Sequence, residues 1–290
     1  MVRNEKPETR KRSARTVSLR LFCGAVAAVC LAEAAPALGI GGEDTAYAAA
    51  SAKKSSSKKT ASKKTASKKY TGWKTVGKNK YYYRKGVKTK GWKKINGKYY
   101  YFNRNGVLQR NKIVGSKARG YYYVDQSGVR VTSRRIQAAV DFVMANSSSR
   151  QSNEQRLKAC FDALCAYPYQ RIIGDKPSAS KIGLYAKYMF ERRQGNCYRY
   201  ASAMAYIARV LGYDSRVAVG GVSSRSYGAL SPHGWCEIKI GSTWKMCDCS
   251  MQQGRSYVSL FLVERERYPF RFQCDQIFTM QSKNGKIKWL

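Results

Sequence analysis

The feature that most restricts the fold of this chain is a segment that repeats about every 20 residues. Two Gly-Trp pairs and three aromatic runs recur in it, and a glycine follows each aromatic run. The pairs are Gly72-Trp73 and Gly91-Trp92, the runs begin at Tyr81, Tyr99 and Tyr121, and the glycines are Gly86, Gly106 and Gly128. Each unit predicts two short strands around a turn such as Asn96-Gly97, a dipeptide that strongly favours a hairpin. Because one hairpin alone is marginally stable, the units must stack on each other or on the next domain.

Most of the positive charge lies in and before these repeats. The formal net charge is +38, and residues 51–135 hold 26 Lys and Arg against one acid, Asp125. Residues 51–69 repeat a Lys-Lys-Thr-Ala-Ser unit without any large apolar residue, so they cannot form a core. We interpret residues 49–69 as a disordered linker, either threaded through an anionic wall or serving as a plain solvated spacer. The charge alone suggests an anionic partner, which could be nucleic acid, a teichoic-acid-like polymer or a membrane.

The first 48 residues have the order of a secretory signal peptide. A basic segment ending at Arg20 precedes an apolar run that reaches Leu31, and small residues then extend to Ala48. This order predicts cleavage after Ala48. The alternative, an uncut membrane anchor, is disfavoured because the run is shorter than the roughly 20 residues of a span and Glu33 interrupts it. Export argues against nucleic acid as a partner and permits disulfides.

Seven cysteines lie outside this signal segment. They are Cys160, Cys165, Cys197, Cys236, Cys247, Cys249 and Cys274. An odd number in an exported protein leaves one thiol over, or implies a pair between chains. The leftover thiol directs attention to Cys197.

Cys197 is predicted to be the first residue of a helix. Residues on one face follow it at three- and four-residue spacing up to Leu211, with Gly212 at the end and Asn196 as the N-cap. A thiol at this position lies in the positive field of the helix N-terminus, which favours the thiolate. The free N–H groups of the first turn would also be available to an oxyanion. A buried, inert cysteine is the alternative interpretation.

The only histidine of the chain, His233, begins an alternating pattern that predicts a strand ending at Ile240. Gly241-Ser242 offers a two-residue turn into a second strand that reaches Asp248. Counted outward from this turn, His233 and Asp248 lie on one face as diagonal neighbours, about 7 Å apart at the backbone. A carboxylate in that position can hold an imidazole in one tautomer.

The same register places Cys236 directly opposite Cys247, where a cross-strand disulfide is possible. A metal site built from Cys247, Cys249 and His233 is the alternative. Cys-x-Cys without a second close pair is not a usual zinc spacing, so we expect neither a metal nor a cofactor.

Taken in order, these residues resemble the transglutaminase-like superfamily, including its secreted bacterial members. The resemblance is carried by Gly195-Asn196-Cys197, Ala201, Gly212, His233-Gly234-Trp235, Trp244 and Asp248. It implies an α+β fold of the papain-like or transglutaminase-like type, with Cys on a helix and His and Asp on an antiparallel sheet. It further implies Cys197 as nucleophile, His233 as its base and Asp248 as the residue that orients the base. Tyr200 stands where many members carry an acid and Cys249 where proline is frequent, which bears on the substrate more than on the chemistry.

The repeats resemble the cell-wall-binding repeats of choline-binding and glucan-binding surface proteins over residues 70–131, best from Gly91 to Gly106. In the choline-binding version this implies an aromatic cage for a quaternary ammonium, held by cation–π attraction. Trp73 and Trp92 would form its walls, with Tyr81 and Tyr99 where a second Trp is frequent. Stacking on a sugar ring and attraction to a polyanion are alternatives, and so is simple packing of the hairpins.

The sequence therefore predicts four segments: a signal peptide (1–48), a linker (49–69), wall-binding β-hairpin repeats (70–131) and a transglutaminase-like catalytic domain (132–290). We expect a secreted, cell-wall-associated cysteine hydrolase or acyl transferase that acts on peptide or carboxamide bonds of a protein or peptide. Cross-linking is a less favoured outcome than hydrolysis. No stable membrane span is expected once the signal segment is cleaved. The rival interpretation is a non-catalytic adhesin in which an inactive transglutaminase-like domain serves as a scaffold.

Overall fold

The computed structural model describes residues 69–223 and 228–290. The predicted signal peptide and the linker up to residue 68 lie outside the described residues. Within the described ranges, no helix combines the length and the apolar character that crossing a bilayer requires.

The repeat region forms three antiparallel hairpins, as the aromatic pattern predicted, and a short third strand extends the first of them. Their strands are β1 (Gly72–Val76), β2 (Asn79–Arg84), β3 (Val87–Lys88), β4 (Gly91–Ile95), β5 (Lys98–Phe102), β6 (Lys112–Ser116) and β7 (Gly120–Val124). Asn96 and Gly97 have φ values of 47° and 77° and connect β4 to β5. Positive φ at both turn positions gives the twist that matches a hairpin, which explains why Asn-Gly is used there.

The third hairpin packs against the rest of the molecule, which supplies the stabilising contacts that an isolated hairpin lacks. The Tyr123 side chain is fully buried in the main hydrophobic core, and its hydroxyl donates to Asn111 Oδ1 at 2.7 Å. Asn111 Nδ2 in turn donates to the carbonyl of Gly212 at 2.7 Å. The buried Asp125 carboxylate accepts a hydrogen bond from the backbone N–H of Gly285 at 2.6 Å.

The remainder of the described chain is an α+β fold, which confirms the predicted fold class. The helices are α1 (Arg134–Asn146), α2 (Asn153–Cys165), α3 (Ala179–Arg192), α4 (Cys197–Val210) and the short α5 (Cys249–Gln252), with a 3₁₀ turn at Arg265–Arg267. The strands are β8 (Ser215–Val222), β9 (Ser231–Ile240), β10 (Thr243–Cys247), β11 (Phe272–Lys283) and β12 (Lys286–Trp289). They form one antiparallel sheet in the order β10-β9-β8-β11-β12.

Helix α4 is the central element of this domain. It is buried on every side and packs against α1, α3 and the strands β8 and β9. It carries alanine at 201, 203, 205 and 208, and these small side chains let neighbouring elements approach closely. The helix N-terminus thus meets the part of the sheet that carries His233.

Candidate active site

Cys197 is the first residue of α4, as predicted, and its side chain is only 3% exposed. Asn196 is the N-cap residue, but its side chain does not cap the helix. Instead, Asn196 Nδ2 donates to Asp175 Oδ2 at 3.2 Å and Asn196 Oδ1 accepts from Arg199 Nη1 at 2.9 Å. The Asn196 amide thus binds the Asp175–Arg199 ion pair and not the backbone of the helix. The first-turn N–H groups are therefore not covered by the Asn196 side chain.

That charged pair fixes the loop in front of the helix. Arg199 Nη1 lies 2.5 Å from Asp175 Oδ2, and both side chains are nearly buried. The Tyr185 hydroxyl also donates to Asp175 Oδ1 at 2.5 Å. Burial acts to raise the pKa of Asp175, but the hydrogen bonds from Tyr185 and Arg199 outweigh it and lower the pKa. Asp175 is thus held as an anion that ties its loop to α4.

The register of the His233 hairpin is the one obtained by counting from the turn. Ile240 pairs with Thr243, and Cys236 pairs with Cys247. His233 Nε2 donates to Asp248 Oδ2 at 2.8 Å, and the two side chains are 11% and 1% exposed. The Cys197 thiol lies near enough to His233 to help raise the pKa of the imidazole. Because Nε2 is used by Asp248, Nδ1 is the ring nitrogen left to face Cys197.

The surroundings of His233 favour its charged form. Burial alone would lower its pKa, but the Asp248 carboxylate and the contact with Cys197 raise the pKa to about 10. For Asp248 the order is reversed: burial would raise its pKa, and the charge and hydrogen bond of His233 lower it. At neutral pH His233 is therefore an imidazolium and Asp248 a carboxylate.

Asp248 has three further hydrogen-bond donors. It accepts from the Tyr268 hydroxyl at 2.7 Å, from the Met251 backbone N–H at 3.0 Å and from Ser250 Oγ at 3.1 Å. Charge-assisted bonds of this kind orient a carboxylate and compensate its burial. Tyr268 was not identified from the sequence, since it follows Asp248 by 20 residues in an irregular segment with no spacing signal.

Tyr169 is a second residue that the sequence did not reveal. Its side chain is 50% exposed, and Cys197 lies near enough to its hydroxyl to act on its pKa. Burial, followed by the charge of Cys197, raises the pKa of Tyr169. The strand-like contact of Gln170 N–H with the Gly195 carbonyl at 2.8 Å holds this segment beside the nucleophile. Tyr169, Cys197 and Pro232 border one groove of about 630 Å³.

The other cysteines are unlike Cys197 in their environment. Cys236 and Cys247 lie opposite each other as predicted, and both are free thiols in this structure. Their disulfide stays a prediction. Burial raises the pKa of Cys160 and of Cys247 to about 12, which keeps these thiols protonated and unreactive. Within the described ranges, no group of three or more His, Cys, Asp or Glu side chains is placed to hold a metal ion.

The aromatic residues of the repeats form two clusters. Trp73 contacts the rings of Tyr82 and Tyr100 at centroid distances of 5.2 and 5.0 Å. Trp92 contacts those of Tyr101 and Tyr122 at 5.2 and 5.7 Å.

Tyr81 and Tyr99, which the sequence analysis paired with the tryptophans, do not join these clusters. Tyr81 lies opposite Lys74, on the other face of its hairpin. Tyr99 lies opposite Lys94, on the face of Trp92 but two residues nearer the turn than Tyr101. Side chains alternate along a strand, so the choice of Tyr81, displaced by one residue from Tyr82, selects the other face. The choice of Tyr99, displaced by two from Tyr101, selects the right face but the wrong position. Counting outward from Asn96-Gly97 would have identified Tyr101, because Ile95 pairs with Lys98 and Trp92 with Tyr101.

Three family models match the chain. Residues 140–249 match the transglutaminase-like superfamily, residues 89–134 a choline-binding repeat, and residues 71–86 a cell wall binding repeat. Comparison with curated proteins gave no significant match.

Solved structures give partial overlaps. The choline-binding domain of Spr1274 in Streptococcus pneumoniae is 34% identical, with 22% of this chain and 97% of that chain covered and a TM-score of 0.21. A TGase is 16% identical over 40% of this chain and 31% of its own, with a TM-score of 0.31. A protein of Cytophaga hutchinsonii described as a cysteine protease is 15% identical over 55% and 53%, with a TM-score of 0.33. The chain thus spans about a third of the TGase and about half of the Cytophaga protein.

Proposed function

We propose that this chain, in which a transglutaminase-like domain follows choline-binding-type cell-wall-binding repeats, is a secreted, wall-associated cysteine hydrolase or acyl transferase. It would act on peptide or carboxamide bonds through a thioester on Cys197. The observation that carries the proposal is the position of His233, which is hydrogen-bonded to Asp248 and lies near enough to Cys197 for the thiol to help raise its pKa. A nucleophile, a base and a group that orients the base are the minimum that such chemistry requires.

In the first half of the reaction, the Cys197 sulfur would bond to the carbonyl carbon of the substrate. The sulfur attacks as a thiolate, because His233 already carries the proton as an imidazolium, and Asp248 balances that charge. The oxyanion would accept from the backbone N–H of Cys197 and from the Tyr169 hydroxyl, which border the same groove. His233 then gives its proton to the leaving nitrogen, the C–N bond breaks, and ammonia or an amine departs.

In the second half, water or an amine would attack the thioester carbonyl. His233 removes a proton from the attacking group and keeps it as the C–S bond breaks, which restores the imidazolium and the Cys197 thiolate. With water the product is a carboxylic acid, and with an amine it is a new amide. Hydrolysis is the expected outcome because water is always available, and the groove has no described feature that selects an amine.

The repeats would keep this enzyme at the cell wall. Their two aromatic clusters suit a quaternary ammonium or a sugar ring, and the excess of Lys and Arg in residues 51–135 suits an anionic wall polymer. The proposed partner is therefore a wall carbohydrate, choline-bearing or teichoic-acid-like polymer.

Alkylation by iodoacetamide tests the catalytic part. Cys274 is more exposed than Cys197, so an inert fold should be alkylated at Cys274 first. We expect Cys197 to react faster near neutral pH in peptide-resolved mass spectrometry, and His233→Ala to abolish that preference. Cys160→Ala, which removes a buried thiol with a pKa of about 12, is the matched control and should leave it unchanged. Equal labelling of Cys197 in the wild type and in His233→Ala would favour a silent domain and a purely adhesive protein.

The reaction type needs a separate assay. Peptides and glutamine amides are incubated with the wild type and with Cys197→Ala, and ammonia release is compared with chain cleavage. Either product, if it depends on Cys197, supports the proposal and identifies the bond. The absence of both with a preferentially labelled Cys197 would restrict the substrate to another acyl group.

A further inference from the structure

The two aromatic clusters of the repeats are built from equivalent positions. Trp73 lies opposite Tyr82 within its hairpin, and Trp92 lies opposite Tyr101 within the next. In each cluster the third ring comes from the following hairpin, Tyr100 in the first and Tyr122 in the second. We call these sets the Trp73 cage (Trp73, Tyr82 and Tyr100) and the Trp92 cage (Trp92, Tyr101 and Tyr122).

The cages differ at one equivalent position, which is Leu108 in the first and Arg130 in the second. Each follows a Gly-Val pair, Gly106-Val107 or Gly128-Val129. Each forms a bridge to the preceding strand, Leu108 to Phe102 and Arg130 to Val124.

The backbone hydrogen bonds of the two residues also correspond. The Leu108 N–H donates to the Lys80 carbonyl at 2.8 Å, and the Arg130 N–H donates to the Tyr99 carbonyl at 2.8 Å. Lys80 and Tyr99 each lie two residues before the tyrosine that faces the tryptophan of their hairpin. The side chains of Leu108 and Arg130 therefore occupy equivalent positions relative to their cages.

Arg130 places a cation against the rings of the Trp92 cage. Its guanidinium carbon is 3.5 Å from the centroid of the Tyr122 ring and 5.8 Å from that of the Trp92 ring. Both distances are within the range of cation–π attraction. Arg130 Nε is buried and has no hydrogen-bond partner among the described residues. Within the described part of the chain, the guanidinium forms no ion pair and lies against the rings.

Among the described residues, no guanidinium lies against the rings of the Trp73 cage. Leu108 is apolar and 6% exposed, and it packs in the cluster that includes Trp73, Tyr82 and Tyr100. Lys80 Nζ lies 4.6 Å from the Trp73 centroid, but it is recorded over that single ring and sits on a flexible stem. An incoming cation can displace such an ammonium into water more readily than a stacked guanidinium.

We propose that Arg130 is a built-in ligand of the Trp92 cage, so that the repeats take one quaternary ammonium ion, in the Trp73 cage, and not two. The inference rests on the proposed wall-binding function. Two cations cannot share the same ring faces, since their repulsion opposes the attraction that each ring offers. The Trp73 cage would then recognise the wall ligand, and the Trp92 cage would stabilise the stacking of the second hairpin on the third.

Isothermal titration of the full chain with choline chloride tests the proposal through stoichiometry. We expect one site in the wild type, and two in Arg130→Leu, which copies the residue of the open cage. Leu108→Arg should close the Trp73 cage and leave none. Arg130→Lys replaces the stacked guanidinium with a displaceable ammonium, like that of Lys80 over Trp73, and should also give two sites. Arg104→Leu, an exposed arginine of the same repeat region, is the matched control and should stay at one.

The outcomes separate the inference from the function on which it rests. Two sites in the wild type, or one site in both the wild type and Arg130→Leu, would overturn the role of Arg130 and leave choline binding intact. No site in the wild type would overturn both. Should Arg130→Leu fail to fold, as judged by circular dichroism, Arg130→Gln replaces it with the same expectation of two sites.

Discussion

His233 Nε2 and Asp248 Oδ2 lie 2.8 Å apart, in a pair whose side chains are 11% and 1% exposed. His233 belongs to β9, and Asp248 follows β10 at the far end of the same hairpin. In a site closed to water, the attraction between imidazolium and carboxylate exceeds the cost of burying the imidazole charge. The pair thereby keeps the proton that the proposed chemistry has to move.

We predict that His233 stays protonated far above the usual range of histidine. Its pKa is raised to about 10, against about 6.5 for an unperturbed imidazole. Because the chain has a single histidine, the imidazole signal in an NMR titration of protein without a histidine tag is unambiguous. In the wild type this signal should not shift between pH 5 and 8, because even pH 8 is about two units below the midpoint.

Asp248→Asn should bring that midpoint down toward the ordinary value, while Asp275→Asn, at an exposed carboxyl, should leave it in place. The sign of the linkage follows from the raised pKa. The stability that His233 contributes is fully present below about pH 6.5 and is lost as pH rises through about 10. A wild-type midpoint near 6.5 would contradict the ion pair.

Tyr169→Phe tests the oxyanion role of the hydroxyl that contacts Cys197. Removing one oxyanion donor typically lowers the rate of acyl transfer by about 100-fold or more. We expect a loss of that size in the release of p-nitrophenol from p-nitrophenyl acetate. Alkylation of Cys197 needs no oxyanion site and should continue.

The matched control is Tyr257→Phe, which changes a tyrosine that is 78% exposed and should behave as the wild type. If Tyr169 only shields the nucleophile, the phenylalanine variant should keep the ester rate and react faster with iodoacetamide. The two assays together therefore distinguish a hydrogen-bond donor to the oxyanion from a side chain that only shields Cys197.

The parts of this molecule that the sequence predicted are those determined by local patterns. The turn at Gly241-Ser242 and the alternation from His233 to Ile240 are enough to derive the register that brings His233 to Asp248. The spacing after Cys197 is enough to place the thiol at a helix start. In each case one element or one hairpin holds all the information.

The residues that sequence reasoning missed come from distant segments with no periodic signal. Tyr169 and Tyr268 approach Cys197 and Asp248 from irregular segments, so only the tertiary fold defines their positions. The side chain of Asn196 was expected to act at the helix start and instead binds Asp175 and Arg199. The preference of asparagine for capping a helix was overridden by the charge of Asp175, which lies in another loop.

Glu237→Ala should destabilise the strand that carries His233. Glu237 is fully buried and lies 2.6 Å from Arg216 and 2.6 Å from Arg265, and it accepts from Trp235 Nε1 at 2.9 Å. Removing the acid leaves two partly buried guanidinium groups without their partner, which costs about 3 kcal/mol. Urea denaturation measures this loss.

Glu191→Ala is the contrasting variant, because Glu191 forms an exposed pair with Lys187 at 2.7 Å. Exposed pairs contribute less than about 1 kcal/mol, so its midpoint should hardly move. Equal effects of the two variants would mean that the buried network adds nothing beyond a surface pair.

The neighbouring tyrosines Tyr81 and Tyr82 provide a test of which hairpin face meets the wall. Tyr82 contacts Trp73 at 5.2 Å, whereas Tyr81 lies on the opposite face with Lys88 Nζ 4.3 Å from its ring. If the Trp73 cage takes the ligand, Tyr82→Ala removes one of its walls and should lower choline affinity about tenfold, the effect of losing roughly 1.4 kcal/mol of cation–π attraction and packing. Tyr81→Ala deletes the same number of atoms one residue away and should bind as the wild type does. Fluorescence titration of both variants and a pull-down on choline-bearing wall preparations measure the difference. A larger loss in Tyr81→Ala would assign the ligand to the other face, because side chains that are adjacent in a strand cannot both serve one cage.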